Sequence, residues 1–263
     1  MQYISLLALV LNLLLPSVSH AAETPTPSCS RPLTLALHDH GLLYSSDTGT
    51  GIDKDIADEM ARRSGCKITV SVLPRARIWQ LIESGALDFS LSGITNAERE
   101  RFAAFGWYVS NKYYLLVRKD AGLAKLADFE KSKTLQLGVI RSFRYSNSAN
   151  EVVDRMSADG RVVQSSGLAP LYQLLLANKI QAMIIEPFDY PVVEATSIRD
   201  VTEILEFGDP PVPHGLIMSK TSLPAAEIVK WRALVESMRT DGTMLRIFGK
   251  YFKPELAKSM VNF

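Results

Sequence analysis

The sequence has no excess of charge of either sign. Its 263 residues include 29 lysines and arginines and 28 aspartates and glutamates, which gives a formal net charge of +1. The two signs are interspersed along the chain, without a long run of basic residues. Binding to nucleic acid or to an anionic membrane surface usually requires such a basic patch. We therefore expect neither nucleic acid nor a membrane surface as a partner.

The sequence also lacks the short motifs that mark common catalytic and cofactor sites. It contains no Gly-x-Ser-x-Gly elbow, no phosphate-binding loop, no His-Glu-x-x-His pair and no Cys-x-x-Cys pair. The four histidines, at positions 20, 38, 40 and 214, do not have the spacing of a metal-binding set. We therefore expect no cofactor and no metal ion.

Cysteine is scarce, since Cys29 and Cys66 are the two in the chain. Each stands just before an apolar, alternating segment, which begins at Leu33 in one case and at Ile68 in the other. If these segments are adjacent parallel strands, both cysteines lie at the same end of them. In an exported protein such a pair is expected to form a disulfide. Two separate buried thiols are the alternative.

Long apolar runs are absent except near the first residue. Residues 4–15 are almost wholly apolar, but a membrane-spanning helix needs about 20 such residues. The small residues Ser19 and Ala21 flank His20 at the spacing that a signal peptidase requires. We predict that residues 1–21 are a signal peptide that is removed on export. An uncleaved anchor is the alternative.

Residues 79–99, WQLIESGALDFSLSGITNAER, form the most informative segment of the chain. Apolar residues at helical spacing are followed by Gly85, which stops a helix, and residues 87–92 alternate between apolar and polar as a strand does. In open α/β sheets, ligands bind beyond the carboxyl ends of strands. We therefore expect a ligand-binding edge formed by these polar residues: Ser92, Thr95, Asn96 and Arg99.

The same succession of helix, break, strand and polar end recurs over residues 172–187, YQLLLANKIQAMIIEP. A second similarity relates residues 33–40 to residues 135–142, each an apolar alternating run that stops at polar residues. The simplest structure with this recurrence is a pair of α/β lobes whose polar strand ends face a crevice. Chance similarity between short apolar segments is the alternative.

Apolar periodicity predicts the remaining elements and the lobe boundaries. Lobe 1 is expected to comprise residues 22–113 and 215–263, and lobe 2 residues 114–214. Strands over 113–118 and 216–218 would cross between the lobes and form a two-strand hinge. Helices are predicted over residues 54–63, with Asp53 as cap, and over 123–129, 149–156, 171–177, 228–238 and 243–252.

Four segments carry the motifs of one protein family. They are residues 51–56, GIDKDI, at the start of a helix; residues 79–88, similar to Leu-x-x-Gly-x-x-Asp; residues 97–99, AER, similar to the end of Thr-Pro-Glu-Arg; and residues 241–252, DGTMLRIFGKYF. Over nearly the whole mature chain, the sequence resembles the family 3 periplasmic solute-binding proteins, which are the polar-amino-acid receptors of bacterial ABC transporters.

The resemblance implies a periplasmic binding protein-like II fold, with two α/β lobes joined by a two-strand hinge. It implies a monomeric periplasmic receptor, not an enzyme. Such a receptor binds a small polar solute, an amino acid or a related carboxylate, between the lobes and delivers it to an ABC permease. By resemblance, Arg99 pairs with the ligand carboxylate and Ser92 and Thr95 add donors. Glu186, five residues after Gln181, holds the ligand ammonium.

The sequence departs from the family pattern at several positions. Ser142 and Phe143 stand where the family has Gly-Thr at a helix N-terminus, so Phe143 is expected to wall the pocket instead. Tyr44 is the nearest aromatic residue to the end of the first strand. Arg75 lies where it would recognise a second anionic group, and the alternative is a surface charge. The same pair of interpretations applies to Arg141 and Arg144.

Two other functions are compatible with these motifs. A periplasmic dehydratase that acts on cyclohexadienyl acids shares the architecture, and Glu186 or His38 would then serve as acid or base. A sensor or scavenger without a transporter would differ from the receptor in its partner alone.

Overall fold

The computed structural model describes residues 26–195 and 197–263. The predicted signal peptide, residues 1–21, lies outside this part of the chain. Within the described residues, no helix has both the length and the apolar character that a membrane crossing would need.

Ten strands are present among the described residues. They are β1 (Leu33–Leu37), β2 (Ile68–Val72), β3 (Phe89–Gly93), β4 (Ala103–Asn111), β5 (Tyr114–Arg118), β6 (Leu137–Ile140), β7 (Val162–Ser165), β8 (Ala182–Ile185), β9 (Thr202–Glu206) and β10 (Val212–Ser219).

Eleven α-helices accompany these strands in the described part. They are α1 (Ile52–Ser64), α2 (Arg75–Ser84), α3 (Arg99–Phe102), α4 (Leu126–Lys131), α5 (Asn147–Ala158), α6 (Leu168–Leu176), α7 (Tyr190–Ala195), α8 (Ile198–Val201), α9 (Ala225–Thr240), α10 (Thr243–Phe248) and α11 (Pro254–Val261). Two short 3-10 turns, Lys119–Ala121 and Pro187–Asp189, complete the helical structure described.

The strands form two five-stranded sheets. The first has the order β2-β1-β3-β10-β4, and the second β7-β6-β8-β5-β9. In each sheet three neighbouring strands are parallel, and the next strand, β10 or β5, runs antiparallel to them. The last strand, β4 or β9, pairs antiparallel with that strand and so runs in the same direction as the first three. The chain passes between the sheets at residues 112–113 and again at residues 207–211. This architecture confirms the predicted α/β class with two similar halves.

Each sheet is covered by apolar side chains on both faces. On the first sheet, Phe89 contacts Trp231 of α9 on one side, and Ile78 and Trp79 of α2 pack against the other. The second sheet likewise separates two core clusters, one around Val139 and the other around Met183. Burial on both faces explains why several strands read as continuous apolar runs. The two cores hold the strand ends of both sheets in fixed positions around the crevice.

Two glycines set the limits of α1. Gly51 precedes the helix with φ of 154°, and a Cβ atom there would lie 2.4 Å from the carbonyl oxygen of Leu43. Gly65 ends the helix in the left-handed conformation. Asp53 is therefore inside the first turn, and its prediction as the cap was wrong. Its side chain turns inward to Ser92 instead.

Cys29 and Cys66 form the predicted disulfide. They precede β1 and β2, which are parallel with Leu33 opposite Ile68. The bond therefore fastens the start of the described chain to the edge of the first sheet, at the end of the strands remote from the crevice.

Replacing both cysteines with serine should destabilise the protein. The bond joins residues 37 apart in sequence, and the chain-entropy model gives about 4 kcal/mol for a loop of that length. Urea denaturation should therefore show a lower free energy of unfolding for the double variant, and wild-type protein reduced with dithiothreitol should behave in the same way. Equal stability of the variant and the oxidised wild type would contradict this prediction.

Candidate functional site

A small cavity of about 20 Å³ lies where the strand ends of the two sheets meet. A volume of this size holds about one water molecule. Residues from both halves line it, including Arg75, Trp79, Ser92, Arg99, Tyr113, Ser142, Phe143, Arg144, Glu186 and His214. A larger groove of about 810 Å³ is lined by side chains around β4 and α9 of the first half alone. We place the candidate site in the smaller cavity, because polar groups from both halves converge there.

Arg99 connects the two halves of the molecule. It is the first residue of α3 and is 7% exposed. Its NH1 group donates to the Ile94 carbonyl at 2.8 Å, and its NH2 group donates across the crevice to the Ser142 carbonyl, also at 2.8 Å. The guanidinium lies 4.0 Å from the ring centre of Trp79. Burial, together with the charges of Arg75 and Arg144, lowers the pKa of Arg99 to about 9.

Arg75 is buried beside Arg99. It begins α2, is 4% exposed, and donates from NH1 to the Leu91 carbonyl at 3.1 Å. Its guanidinium lies 5.6 Å from the ring centre of Phe143, and no carboxylate of the described residues lies within 4.0 Å of it. Burial lowers the pKa of Arg75. The interpretation of Arg75 as a surface charge is therefore wrong.

Ser92 and Ser142 face the cavity from opposite halves with unusual backbone conformations. Their φ angles are 51° and 63°, and Asn178 is the other non-glycine residue of the described chain with positive φ. Such a conformation costs about 1 kcal/mol or more for an ordinary residue and tends to occur at ligand sites. It turns the Ser142 carbonyl towards Arg99. The Ser92 hydroxyl donates to the Asp53 carboxylate at 2.7 Å.

Asp53 lies behind Ser92, where burial raises its pKa to about 6 from 3.8. The Ser92 hydroxyl and the nearby Arg75 charge oppose this effect without cancelling it. Because the folded protein holds the Asp53 proton more tightly than the unfolded chain, the carboxylate destabilises the fold above about pH 6. That penalty disappears as the pH falls below 3.8.

Replacing Asp53 with asparagine should stabilise the protein in mildly alkaline solution. The amide keeps the shape and the acceptor for Ser92 without the buried charge, and we expect a gain of about 2 kcal/mol at about pH 7.5. The gain should vanish at about pH 4, where the wild-type carboxyl is largely protonated. Denaturant titrations at the two pH values test this, with Asp58→Asn in the exposed part of the same helix as control. A loss of stability at about pH 7.5 would show that the charge is needed.

Glu186 has both carboxylate oxygens occupied by other groups of the protein. It precedes the turn Pro187–Asp189 and is 3% exposed. Oε1 receives the His40 Nε2–H at 3.0 Å, and Oε2 receives the Asn111 amide at 2.9 Å. The Glu186 backbone N–H donates to the Asp189 carboxylate at 3.0 Å, and the Asp189 backbone N–H donates to the Glu186 carbonyl at 2.9 Å. Glu186 is thus held by residues of both halves.

His40 carries the charge that compensates Glu186. Burial alone would lower the pKa of His40, but the carboxyls of Asp189 and Glu186 together raise it. Asp189 is 3.5 Å from the same Nε2 atom, and burial raises the pKa of Asp189 to about 7. The hydrogen bond and charge of His40 hold the pKa of Glu186 below its usual value despite burial. Between pH 4.5 and 6.5 the arrangement is therefore an imidazolium paired with the Glu186 carboxylate.

His38 and His214 are neutral by contrast. Burial and the Arg75 charge lower the pKa of His38 to about 2, and its Nδ1 faces the Leu73 carbonyl at 3.4 Å. Burial also lowers the pKa of His214. Its Nδ1–H donates to the Val212 carbonyl, which leaves Nε2 to accept from the Tyr113 hydroxyl at 2.7 Å.

Phe143 is one of the residues that line the cavity. Its ring centre lies 5.5 Å from that of His38 and 5.2 Å from that of His40. Helix α5 begins four residues later, at Asn147. Ser142 and Phe143 therefore do not form a helix N-terminus, and the site lacks a backbone cradle at that position.

Several candidates lie outside the cavity. The Thr95 hydroxyl donates to Glu100 at 2.7 Å, Tyr44 packs at the edge of the first core, and Arg141 is exposed. Arg144, also exposed, does reach the cavity wall.

Sequence reasoning missed the contributions of His40, Asn111, Tyr113 and His214, although His40 follows the end of β1, where polar residues were expected to face the crevice. Among the described residues, no group of histidine, cysteine, aspartate and glutamate side chains is arranged to hold a metal ion.

Residues 40–254 match the family described as bacterial extracellular solute-binding proteins, family 3. The chain belongs to this family. The match covers most of the sequence and includes strands β2 to β10 and all the residues that line the cavity. This confirms the resemblance inferred from the motifs and identifies the chain as a solute-binding protein. A comparison with curated protein sequences finds no match.

Solved structures with the same fold include amino-acid-binding proteins. An ancestral arginine-binding protein bound to arginine has a TM-score of 0.71 and 20% identity, over 86% of this chain and 100% of that chain. An ABC uptake transporter substrate-binding protein from Streptococcus pneumoniae with bound histidine has a TM-score of 0.70 and 16% identity, over 84% and 92%. An ancestral amino-acid-binding protein that is a precursor of cyclohexadienyl dehydratase has a TM-score of 0.68 and 20% identity, over 84% and 96%.

Proposed function

We propose that this solute-binding protein is a periplasmic receptor for a small polar solute that carries a carboxylate, an amino acid or a related acid. The solute would bind in the crevice between the sheets and be delivered to an ABC permease. The similarity to the Streptococcus pneumoniae transporter protein supports this role. We propose further that residues 1–21 are cleaved on export and that the mature chain acts as a monomer.

The observation that carries this proposal is the position of Arg99. A guanidinium presents donors in a rigid fork that matches the two oxygens of a carboxylate. Arg99 is oriented by the Ile94 carbonyl and the Trp79 ring, and its remaining donor reaches into the crevice. A ligand carboxylate would replace the Ser142 carbonyl as acceptor, and Ser92 would border the same space.

Binding would couple to a hinge motion of two lobes, residues 22–113 with 215–263 and residues 114–214. The cavity of about 20 Å³ is smaller than any organic acid, so entry requires the lobes to part or Phe143 to move. A ligand shifts such an equilibrium by its additional contacts in the closed form. Contacts with Arg99 on one side and with the residues 142–144 on the other would provide them.

Thermal unfolding in the presence of candidate ligands tests the receptor function. A ligand at 100 times its dissociation constant adds about 2.7 kcal/mol to the stability of the folded state. We expect at least one compound of a panel of amino acids and organic acids to raise the unfolding temperature, and isothermal titration calorimetry to confirm binding. A panel without any such compound would contradict the proposal.

We also propose that the protein is not an enzyme. The fold is similar to that of the dehydratase precursor, but the acid and base candidates have unsuitable protonation states. The pKa of Glu186 is lowered by His40, so it holds no proton to donate at neutral pH, and His38, with a pKa of about 2, is a weak base. Prephenate, a cyclohexadienyl acid, should therefore persist when it is incubated with the protein. Its conversion would contradict this part of the proposal.

A further inference from the structure

We propose that the ligand carries two acidic groups and no ammonium group, because the crevice offers two buried guanidinium groups while its one carboxylate is already paired within the protein. The inference rests on the proposed receptor function and specifies the chemical class of the solute.

The charges around the cavity are unbalanced in favour of cations. Arg75, Arg99 and Arg144 line it with positive charge, and Glu186 is the one acidic residue among its lining residues. Asp53 lies behind Ser92 and is not part of the lining. A small solute in this space therefore meets an excess of guanidinium groups, which favours an anion.

Both carboxylate oxygens of Glu186 already accept hydrogen bonds from the protein. His40 donates to one oxygen at 3.0 Å, and Asn111 donates to the other at 2.9 Å. His40 is itself fixed, since its ring stacks on His38 at 5.7 Å and on Phe143 at 5.2 Å. A ligand ammonium would have to compete with His40 and Asn111 for the same two oxygens, which makes Glu186 a poor acceptor for it.

Arg75 supplies the site for a second acidic group. It is 4% exposed, and its one hydrogen bond among the described residues goes to the Leu91 carbonyl. The carboxylates whose charges act on Arg75 are those of Asp53 and Glu186. Asp53 already accepts a hydrogen bond from Ser92, and Glu186 accepts one from His40. A buried guanidinium without an ion pair destabilises the protein unless an anion pairs with it. A second carboxylate of the ligand would form that ion pair.

Four acids of one chain length separate the two features of the ligand. Pentanoate carries one carboxylate, glutarate two, norvaline one carboxylate with an ammonium, and glutamate two with an ammonium. Butyrate, succinate, 2-aminobutyrate and aspartate form the same set one carbon shorter. Calorimetry with the wild-type protein measures the effect of each group, and it does not depend on the folding of any variant.

We expect the second carboxylate to increase affinity by roughly tenfold or more, as for a charge-assisted hydrogen bond, and the ammonium to give no increase. Tighter binding of glutamate than of glutarate, or of norvaline than of pentanoate, would overturn the inference while supporting the receptor function. Absence of binding by all eight compounds would overturn the inference, whereas the receptor function would be contradicted by failure of the whole panel of amino acids and organic acids.

Variants of Arg75 identify the residue that reads the second carboxylate. Arg75→Gln should weaken glutarate roughly tenfold or more and pentanoate much less, with Arg75→Lys intermediate. Arg141→Gln, at an exposed arginine of the second half that does not line the cavity, is the matched control. Equal loss for glutarate and pentanoate in Arg75→Gln would assign both arginines to a single carboxylate and would overturn the two-acid ligand.

Discussion

Replacing Arg99 with alanine should weaken the binding of the tightest carboxylate ligand by at least about tenfold. Each hydrogen bond between a charged donor and a buried acceptor contributes about 1.5–3 kcal/mol, and the alanine variant removes the whole fork. It also leaves the Ile94 carbonyl without its side-chain donor and the Trp79 ring without its stacked cation. The loss should therefore be visible in calorimetry at neutral pH.

Two further variants make the Arg99 result specific. Arg99→Lys keeps the charge but loses the planar fork, so its affinity should lie between those of the wild type and the alanine variant. Arg101→Ala removes an exposed arginine from the same helix and should leave the affinity unchanged. Calorimetry that finds wild-type affinity in Arg99→Ala would remove Arg99 from the binding site.

Replacing Glu186 with glutamine should lower the free energy of unfolding by about 3 kcal/mol. The amide has nearly the same shape, but it leaves the buried His40 imidazolium with Asp189 as its one remaining acidic neighbour. Loss of one member of a buried ion pair is costly because the other charge stays away from water. Urea denaturation with Glu203→Gln, an exposed glutamate of β9, as control measures the effect.

The pH dependence of this loss of stability follows from the directions in which folding shifts the pKa of His40 and the pKa of Glu186. The pKa of His40 is raised on folding, so its contribution is complete below the ordinary value of 6.5 and is lost as the pH rises through the folded-state value. The pKa of Glu186 is lowered, so its contribution is complete above 4.5 and is lost as the pH falls through the folded-state value. The difference between variant and wild type should be largest between pH 4.5 and 6.5. A loss that does not change with pH would indicate a packing defect instead.

Apolar alternation and apolar runs in the sequence predicted some of the strands. The apolar alternation predicted from Leu33 corresponds to β1, and the strand predicted within residues 172–187 corresponds to β8. In contrast, β4 (Ala103–Asn111) is buried on both faces and shows no alternation, so it was missed. The predicted helix over 243–252 ends at Phe248, and α11 begins at Pro254, where the proline fits the first turn of a new helix.

The parts of the site that lie on one segment of the sequence were predictable. The contacts between segments that are far apart in the sequence were not. Ser92 lies near the end of β3 and Arg99 follows that strand, so their position at the crevice agrees with the general rule for α/β sheets. The partners of Glu186 are separated from it by 146 residues in the case of His40 and by 75 in the case of Asn111. No spacing in the sequence encodes such contacts, because they arise when two separate sheets are brought together.

The hydrogen bond from Arg99 to the Ser142 carbonyl has a consequence for the measured affinity. The Arg99 group that would bind the solute also joins the two halves by donating to Ser142. The Ser142 carbonyl and the solute therefore compete for one guanidinium. Molecules in which Arg99 is bonded to Ser142 cannot bind the solute. The apparent dissociation constant is therefore the intrinsic one divided by the fraction of molecules without this bond. Weakening this hydrogen bond would therefore lower the apparent dissociation constant for the solute.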